Sequence, residues 1–373
     1  MKNIAVFTGT RAEYGLLVPL LRRIQQDPQL NLRLLVTGMH LSPEFGCTWR
    51  QIEEDGFKID EKIEILLSSD TSVGVAKSVG LGILGFADAL ARIDAECIVI
   101  LGDRFEALAM AQTAMIMRLP VVHLHGGEIT EGAYDDAIRH VITKLSQLHF
   151  TSTEEHRRRV IQLGEQPERV FNVGAIGLDN IVNAKTMSYE DFNESLPKPL
   201  SEPYFLVTYH PVTLAEEDPE ITFNQLVMAL ERFKSHQILI TYPNADDGGR
   251  RIIPLIEKWS NERPQKVIVV PSLGYKRYLC AVKYATAVVG NSSSGLIEVP
   301  SLNVATVNIG SRQLGRTSAA SVIHCKTGVD DIVRALTEAI DRTKKLKRAP
   351  VKNPYGSGTV SYTHLTLPTI YSV

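Results

Sequence analysis

The sequence is poor in the features that mark disulfide scaffolds, metal ribbons, membrane spans and nucleic-acid binders. Its 373 residues hold four cysteines, Cys47, Cys97, Cys280 and Cys325, widely separated and without a CxxC pair. That spacing gives neither a zinc knuckle nor a disulfide framework, and it suits a reducing compartment. Cys97 lies in the apolar run Cys97-Ile98-Val99-Ile100-Leu101 and is expected as a small buried hydrophobe. Neither sign of charge is in surplus: 40 Lys and Arg stand against 42 Asp and Glu, a formal net charge of -2. A nucleic-acid backbone or an anionic membrane is therefore not the expected partner. No apolar run is read as long enough to span a bilayer, and residues 1–7 reach the turn at Gly9 too early for a signal peptide. A cytoplasmic protein is expected. No internal repeat is visible. Residues 361–373 lack Asp, Glu, Lys and Arg altogether and read as a non-native or disordered tail.

What is present is an ordinary globular composition, 44% hydrophobic and 22% charged, in a chain long enough for two cores. Short apolar runs alternate with helical patterns, the signature of parallel strands joined by crossover helices. In the first half, strands are expected over residues 4–8, 32–36, 97–101, 121–124 and 148–151. Helices are expected over 16–26, 73–93, 104–117 and 135–146. A second alternation predicts strands over 204–208, 237–241, 267–270, 286–289 and 305–309. Residues 185–203, with three prolines, read as a surface connection. The expected fold class is α/β, with two Rossmann-like doubly wound domains facing a central cleft. They span residues 1–177 and 178–360, and ligands of such sheets bind at the carboxyl ends of the strands.

Two turns suit phosphate. In Thr8-Gly9-Thr10-Arg11-Ala12-Glu13 a strand enters a helix through a glycine turn. Exposed N–H groups are expected there, with Arg11 beside them to pair with an anion. The turn lacks the GxGxxG dinucleotide fingerprint. In Gly290-Asn291-Ser292-Ser293-Ser294-Gly295-Leu296-Ile297-Glu298 three serines precede a helix, more hydroxyls than one cap needs. They are expected to hold a diphosphate, with Glu298 accepting from ribose hydroxyls. Arg312 and Arg316 are candidate phosphate clamps or loop decoration. Tyr275 and Tyr278 complete the candidate substrate-binding set.

The acid/base candidates lie at strand ends of the first half. Asp103 follows residues 97–101, and His123-Leu124-His125-Gly126-Gly127-Glu128 closes the next strand. Asp135 and Asp136 open a helix that continues through Arg139 and His140. Each has a bland alternative as a cap, a dipole partner or a core residue, but several carboxylates on one rim are harder to explain so. A metal bound by His123, His125 and Asp103 would have an incomplete ligand set, and no cofactor is expected. His210, after the strand over 204–208, is a candidate from the second domain.

The motifs GTRAEYG, LGDR, HLHGGE, DDAIRHVITK, NSSSGLIEVPSL and NIGSRQLGR occur in the order and spacing of a known family. The chain resembles the hydrolysing UDP-N-acetylglucosamine 2-epimerases, with a close match to the bacterial sialic-acid-pathway members over about residues 2–359. The resemblance implies a glycosyltransferase-B-type fold and conversion of UDP-N-acetylglucosamine and water to UDP and N-acetylmannosamine. It implies UDP binding by Ser292, Ser293 and Glu298, a phosphate contact from Arg11, and cleft roles for Asp103, Asp135 or Asp136, and His210. Relatives of the non-hydrolysing and animal types carry Glu where His125 stands, so the base stays open among Glu128, Asp103 and the Asp135/Asp136 pair. The family chain also continues past Gly356 into a charged helix that this sequence lacks. UDP-N,N'-diacetylbacillosamine is the alternative substrate. A glycosyltransferase of the same fold and a silent nucleotide-sugar sensor are the rival functions, and a homo-oligomer, dimer or tetramer, is expected.

Overall fold

The structure is a computed structural model that describes residues 1–67, 69, 71–130, 134–183, 187–212, 218–243 and 249–358. The tail assigned above to 361–373 lies outside the described residues. The chain forms two compact units: Met1–Glu128 with Asp135–Val182 and the chain from Tyr355, and Ile129–Tyr134 with Asn183–Pro354.

The first unit is a seven-stranded parallel sheet. Its strands are β1 (Lys2–Thr8), β2 (Leu30–Thr37), β3 (Glu61–Ile63), β4 (Cys97–Leu101), β5 (Val121–Leu124), β6 (Leu148–Thr151) and β7 (Val170–Asn172). Their order is β3-β2-β1-β4-β5-β6-β7, which reverses direction between β1 and β4. Such a reversal opens a crevice at the strand ends. Both faces of the sheet are covered, so β1 is apolar at every central position. Ile4 and Val6 join one core cluster, Ala5 and Phe7 the other.

The second unit is a six-stranded parallel sheet. It comprises β8 (Tyr204–Thr208), β9 (Gln237–Thr241), β10 (Val267–Val270), β11 (Ala287–Gly290), β12 (Thr306–Ile309) and β13 (Val322–Cys325). Its order, β10-β9-β8-β11-β12-β13, reverses between β8 and β11. Phe205 and Val207 pack on one face, Tyr204 and Leu206 on the other. The expected fold class is therefore the one observed: two doubly wound α/β sheets.

Three expectations change. The helix Ser72–Ile93 is long and apolar enough to cross a membrane, contrary to the reading that no such run exists. One face of it packs in the first unit, where Phe86, Ala89, Leu90 and Ile93 are buried, while Val73, Leu81 and Leu84 are exposed. Residues 185–203 are more than a surface connection. Ser188 caps a helix Tyr189–Glu194, and Phe192, Leu196 and Leu200 enter the second core. The edge strands β3, β7 and β13 are short and escaped the apolar-run criterion. Cys97 is buried as expected, and burial pushes its thiol up to about 12.

Candidate functional site

At the switch point of the first sheet, the ends of β1 and β4 lie side by side. Thr10 caps the helix Arg11–Gln26, and Glu13 completes a capping box. The Glu13 Oε2 atom accepts from the N–H groups of Gly9, at 2.8 Å, and Thr10, at 3.1 Å. These amides were expected to face phosphate. They are engaged by a side chain of their own helix, because glutamate at the third helical position reaches back to the turn. Arg11, half-buried, remains the phosphate candidate of this segment.

Glu13 is 9% exposed, and burial raises its carboxyl to about 7; the charge of Arg104 opposes this and that of Glu106 adds to it. Glu106 is itself fully buried and takes the Arg104 Nε at 3.2 Å. Neither glutamate stood among the sequence candidates.

Beside this, Asp103 and Asp136 converge on one residue, Arg139. Its Nη2 donates to the Asp103 Oδ2. Its Nη1 donates to the Asp136 Oδ1 at 3.0 Å and to the Glu128 carbonyl at 2.7 Å. The Arg139 side chain is 1% exposed. Burial alone would lower its pKa, but the charges of Asp103, Glu128 and Asp136 outweigh burial and raise it. The planar fork of arginine suits this double pairing. Sequence reading passed over Arg139, although its position three residues after Asp136 puts both on one helix face. Asp135 shares the first turn of the helix Asp135–Leu145 with Asp136, and the His140 Nε2 lies 3.5 Å from the other Asp136 oxygen.

The end of β5 brings His125 and Glu128 together. His125 adopts a left-handed backbone, φ 67°, a conformation that non-glycine residues hold at a cost of about 1–3 kcal/mol. Its Nε2 accepts from the Ile176 N–H at 3.2 Å, and its Nδ1 lies 3.2 Å from the Glu128 Oε1. Glu128 is 3% exposed. His123 points the other way. It contacts the Gly102 carbonyl at 3.0 Å and the Thr143 hydroxyl at 3.2 Å, and burial lowers it to about 3. Both nitrogens of His123 are thus engaged by the protein.

The second sheet builds its switch point differently. The Asn291 side chain accepts from the His210 N–H at 2.7 Å and donates to the His210 carbonyl at 2.8 Å, tying the ends of β8 and β11 together. The Asn291 carbonyl accepts from Arg312 Nη1 at 3.1 Å and Gln313 Nε2 at 2.9 Å. Asn291 and Arg312 thereby hold this turn. Gly290 has φ 137°, and a Cβ there would lie 1.9 Å from the Thr208 carbonyl, so only glycine fits.

Ser292, Ser293 and Ser294 follow. Their backbone N–H groups engage no partner among the described residues, unlike those of Gly9 and Thr10. The helix Ser294–Ile297 is one turn long, and Gly295 sits against Thr306, whose hydroxyl donates to its carbonyl at 2.7 Å. The Tyr278 hydroxyl lies 2.6 Å from the Ser294 Oγ, and burial pushes its pKa up. Glu298 is buried, His210 is 4% exposed, and Tyr275 is half-buried on the helix Gly274–Tyr284. The Arg316 Nε donates to the Thr130 hydroxyl at 3.2 Å, within the second unit.

Two doubly wound sheets, one ending in a carboxylate–arginine–histidine cluster and the other in a turn of open amides, define an α/β enzyme of the glycosyltransferase-B type. The chain belongs to the UDP-N-acetylglucosamine 2-epimerase family, whose model matches residues 22–364. It is 40% identical over 86% of its length, and 84% of the relative, to the GDP/UDP-N,N'-diacetylbacillosamine 2-epimerase (hydrolyzing) of Campylobacter jejuni. It is 38% identical, over 95% of its length and 90% of the relative, to the polysialic acid biosynthesis protein P7 of Escherichia coli. The crystal structure of the UDP-GlcNAc 2-epimerase of Neisseria meningitidis bound to UDP-GlcNAc shares the fold. Its TM-score is 0.82 at 19% identity, over 100% of both chains.

Proposed function

We propose that the protein is a hydrolysing 2-epimerase that converts UDP-N-acetylglucosamine and water to UDP and N-acetylmannosamine. The observation that carries this reading is the buried Arg139 clamp on Asp103 and Asp136, with His125 and Glu128 beside it. A sugar carbon 2 has no neighbouring carbonyl, so its C–H bond breaks only as the C1–O bond to UDP breaks. The C–H electrons form the C1=C2 double bond, a carboxylate takes the proton, and UDP leaves with the C1–O electrons. Water oxygen then adds to carbon 1 while a proton returns to carbon 2 from the opposite face. Two acid/base groups in different protonation states serve these two steps.

Stabilising the departing diphosphate falls to the second unit, through the Ser292–Ser294 amides, the hydroxyls and the arginines of the following loop. Membership of the 2-epimerase family supports the reaction type, and the likeness to the polysialic acid protein of E. coli supports a role in sialic-acid-type sugar synthesis. The engagement of both His123 nitrogens by the protein supports acid/base chemistry without a metal at that histidine. A second reading, the same chemistry on UDP-N,N'-diacetylbacillosamine, is favoured by the identity to the C. jejuni enzyme.

Purified protein given each UDP-sugar in deuterium oxide, followed by NMR, tests both readings. Free UDP and a 2-epimerised sugar carrying deuterium at carbon 2 are expected with one substrate. UDP release that needs an acceptor, or a product unlabelled at carbon 2, would overturn the proposal.

A further inference from the structure

Behind Glu128 runs a hydrogen-bond chain that neither the motifs nor the reaction required. The Ser152 hydroxyl donates to the Glu128 Oε1 at 2.8 Å, and the same hydroxyl lies 2.9 Å from the His156 Nδ1. Ser152 and His156 are each 1% exposed.

The proton positions follow from the ends of the chain. The Ile176 N–H donates to the His125 Nε2, so a neutral His125 carries its proton on Nδ1 and donates to the Glu128 Oε1. Ser152 uses its proton on the same oxygen, so its lone pair accepts from His156 Nδ1–H. Two donors thus meet on Oε1, and a proton on a neutral Glu128 would sit on Oε2.

The backbone is locked to match. Thr153 caps the helix Glu154–Gln162 through the His156 N–H, and a Cβ on Gly127 would lie 2.4 Å from the His156 carbonyl. The Arg159 Nη1 donates to the Gly127 carbonyl. Among the described residues, His125, His156, Arg139 and Arg159 are charged or titratable groups that contact the Glu128 segment or its hydrogen-bond chain.

We propose that Ser152 and His156 are positioning residues that hold Glu128 as an oriented carboxylate whose Oε2 does the acid/base work. This rests on the 2-epimerase reading. Donors to an ionised carboxylate favour its charged form, so the chain keeps Glu128 ionised and ready to accept a proton. Ser152→Ala and His156→Ala remove one donor each and should move the acidic limb of the kcat profile to higher pH by about one unit. They should lower kcat by about tenfold with KM little changed. His156→Asn, whose Nδ2 stands where Nδ1–H was, should restore both.

Two measurements test it. Long-range proton–nitrogen NMR of the histidine rings in the resting protein should show His125 and His156 both protonated on Nδ1, whatever the substrate. The pH profiles of wild type and the three variants follow, with thermal melting as the control for folding. Histidines protonated on Nε2 instead, or variants whose rate falls in step with stability while the limb stays put, would overturn the proposal. So would His156→Asn behaving like His156→Ala at equal stability. A wild type that turns over no UDP-sugar, with the expected histidine tautomers intact, would instead remove the 2-epimerase reading and leave the hydrogen-bond chain standing.

Discussion

Replacing Arg139 by methionine removes a cation that joins Asp103, Asp136 and the Glu128 carbonyl. Removing one partner of a buried ion pair costs about 3–5 kcal/mol, because the opposite charge stays behind unpaired. The arginine side chain is 1% exposed, but those of Asp103 and Asp136 are 22% and 28% exposed. Water can reach them, so the lower end, about 3 kcal/mol, applies. For a unit of this size that is a loss of roughly 6–12 °C in melting temperature. Turnover should fall by about two orders of magnitude, since both carboxylates lose their orientation. Arg139→Lys keeps the charge but not the fork, so it should recover much of the stability and little of the turnover. Differential scanning calorimetry of the first unit's transition and single-turnover UDP release decide. A methionine variant melting within about 2 °C of wild type, where roughly 6–12 °C is expected, and turning over normally would refute the clamp.

Three further outcomes are expected. Glu13, raised by burial to about 7, holds its proton in the folded state over a range where the unfolded chain has lost it. Stability from this group is therefore full below about pH 4.5, falls as pH rises, and is lost by about pH 7, a change of about 2–4 kcal/mol. Buried His123, lowered to about 3, works in the opposite sense, so the readout is the urea-unfolding difference between wild type and Glu13→Gln at pH 5 and pH 8. A difference that does not change with pH would refute it. Gly290→Ala should destabilise the second unit by at least about 4 kcal/mol, because its Cβ meets the Thr208 carbonyl. Gly102→Ala, with φ 82° and nothing within 4 Å, should cost only about 1–2 kcal/mol; equal losses in chemical denaturation would contradict this. Ser292→Ala with Glu298→Ala should weaken UDP binding in calorimetry. Asp103→Asn and Asp136→Asn should leave that affinity within about a few-fold and cut turnover by about a hundredfold. The reverse pattern would exchange the roles of the two units.

The sheets were legible because parallel strands buried on both faces must be continuous apolar runs. β1, β4, β8, β9 and β10 announce themselves in this way. β3 and β13 did not, since Glu61-Lys62-Ile63 and Val322-Ile323-His324-Cys325 sit at sheet edges and carry polar residues. The helix Val329–Leu346 was passed over although Ile332, Ala335, Leu336 and Ala339 recur at helical spacing. At the site, the sequence pointed to carboxylates but not to what holds them. Arg139 lies 36 positions from Asp103, and Ser152 lies 24 from Glu128. Long-range pairing of this kind leaves no periodic trace. Glu13 misled in another way: a capping box is readable from Thr10 and Glu13, but the reading stopped at Gly9 and Arg11 on either side of Thr10.

The two switch-point turns offer a diphosphate different surroundings. Each follows a strand beside the sheet's reversal, each is rich in small residues, and by composition either suits an anion. They differ in what already occupies their amides. In the first turn a glutamate takes the N–H groups of Gly9 and Thr10, and a second buried carboxylate, Glu106, sits close to Glu13. An anion would have to displace the Glu13 carboxyl from these two N–H groups. In the second turn the nearest side-chain amide, Asn291, is directed back to His210, and the arginine and glutamine of the next loop reach the Asn291 carbonyl. That arrangement leaves the Ser292–Ser294 amides without a partner among the described residues and places Arg312 nearby. The same doubly wound frame therefore yields a turn closed by its own acid in one unit and a turn open to an acid from outside in the other.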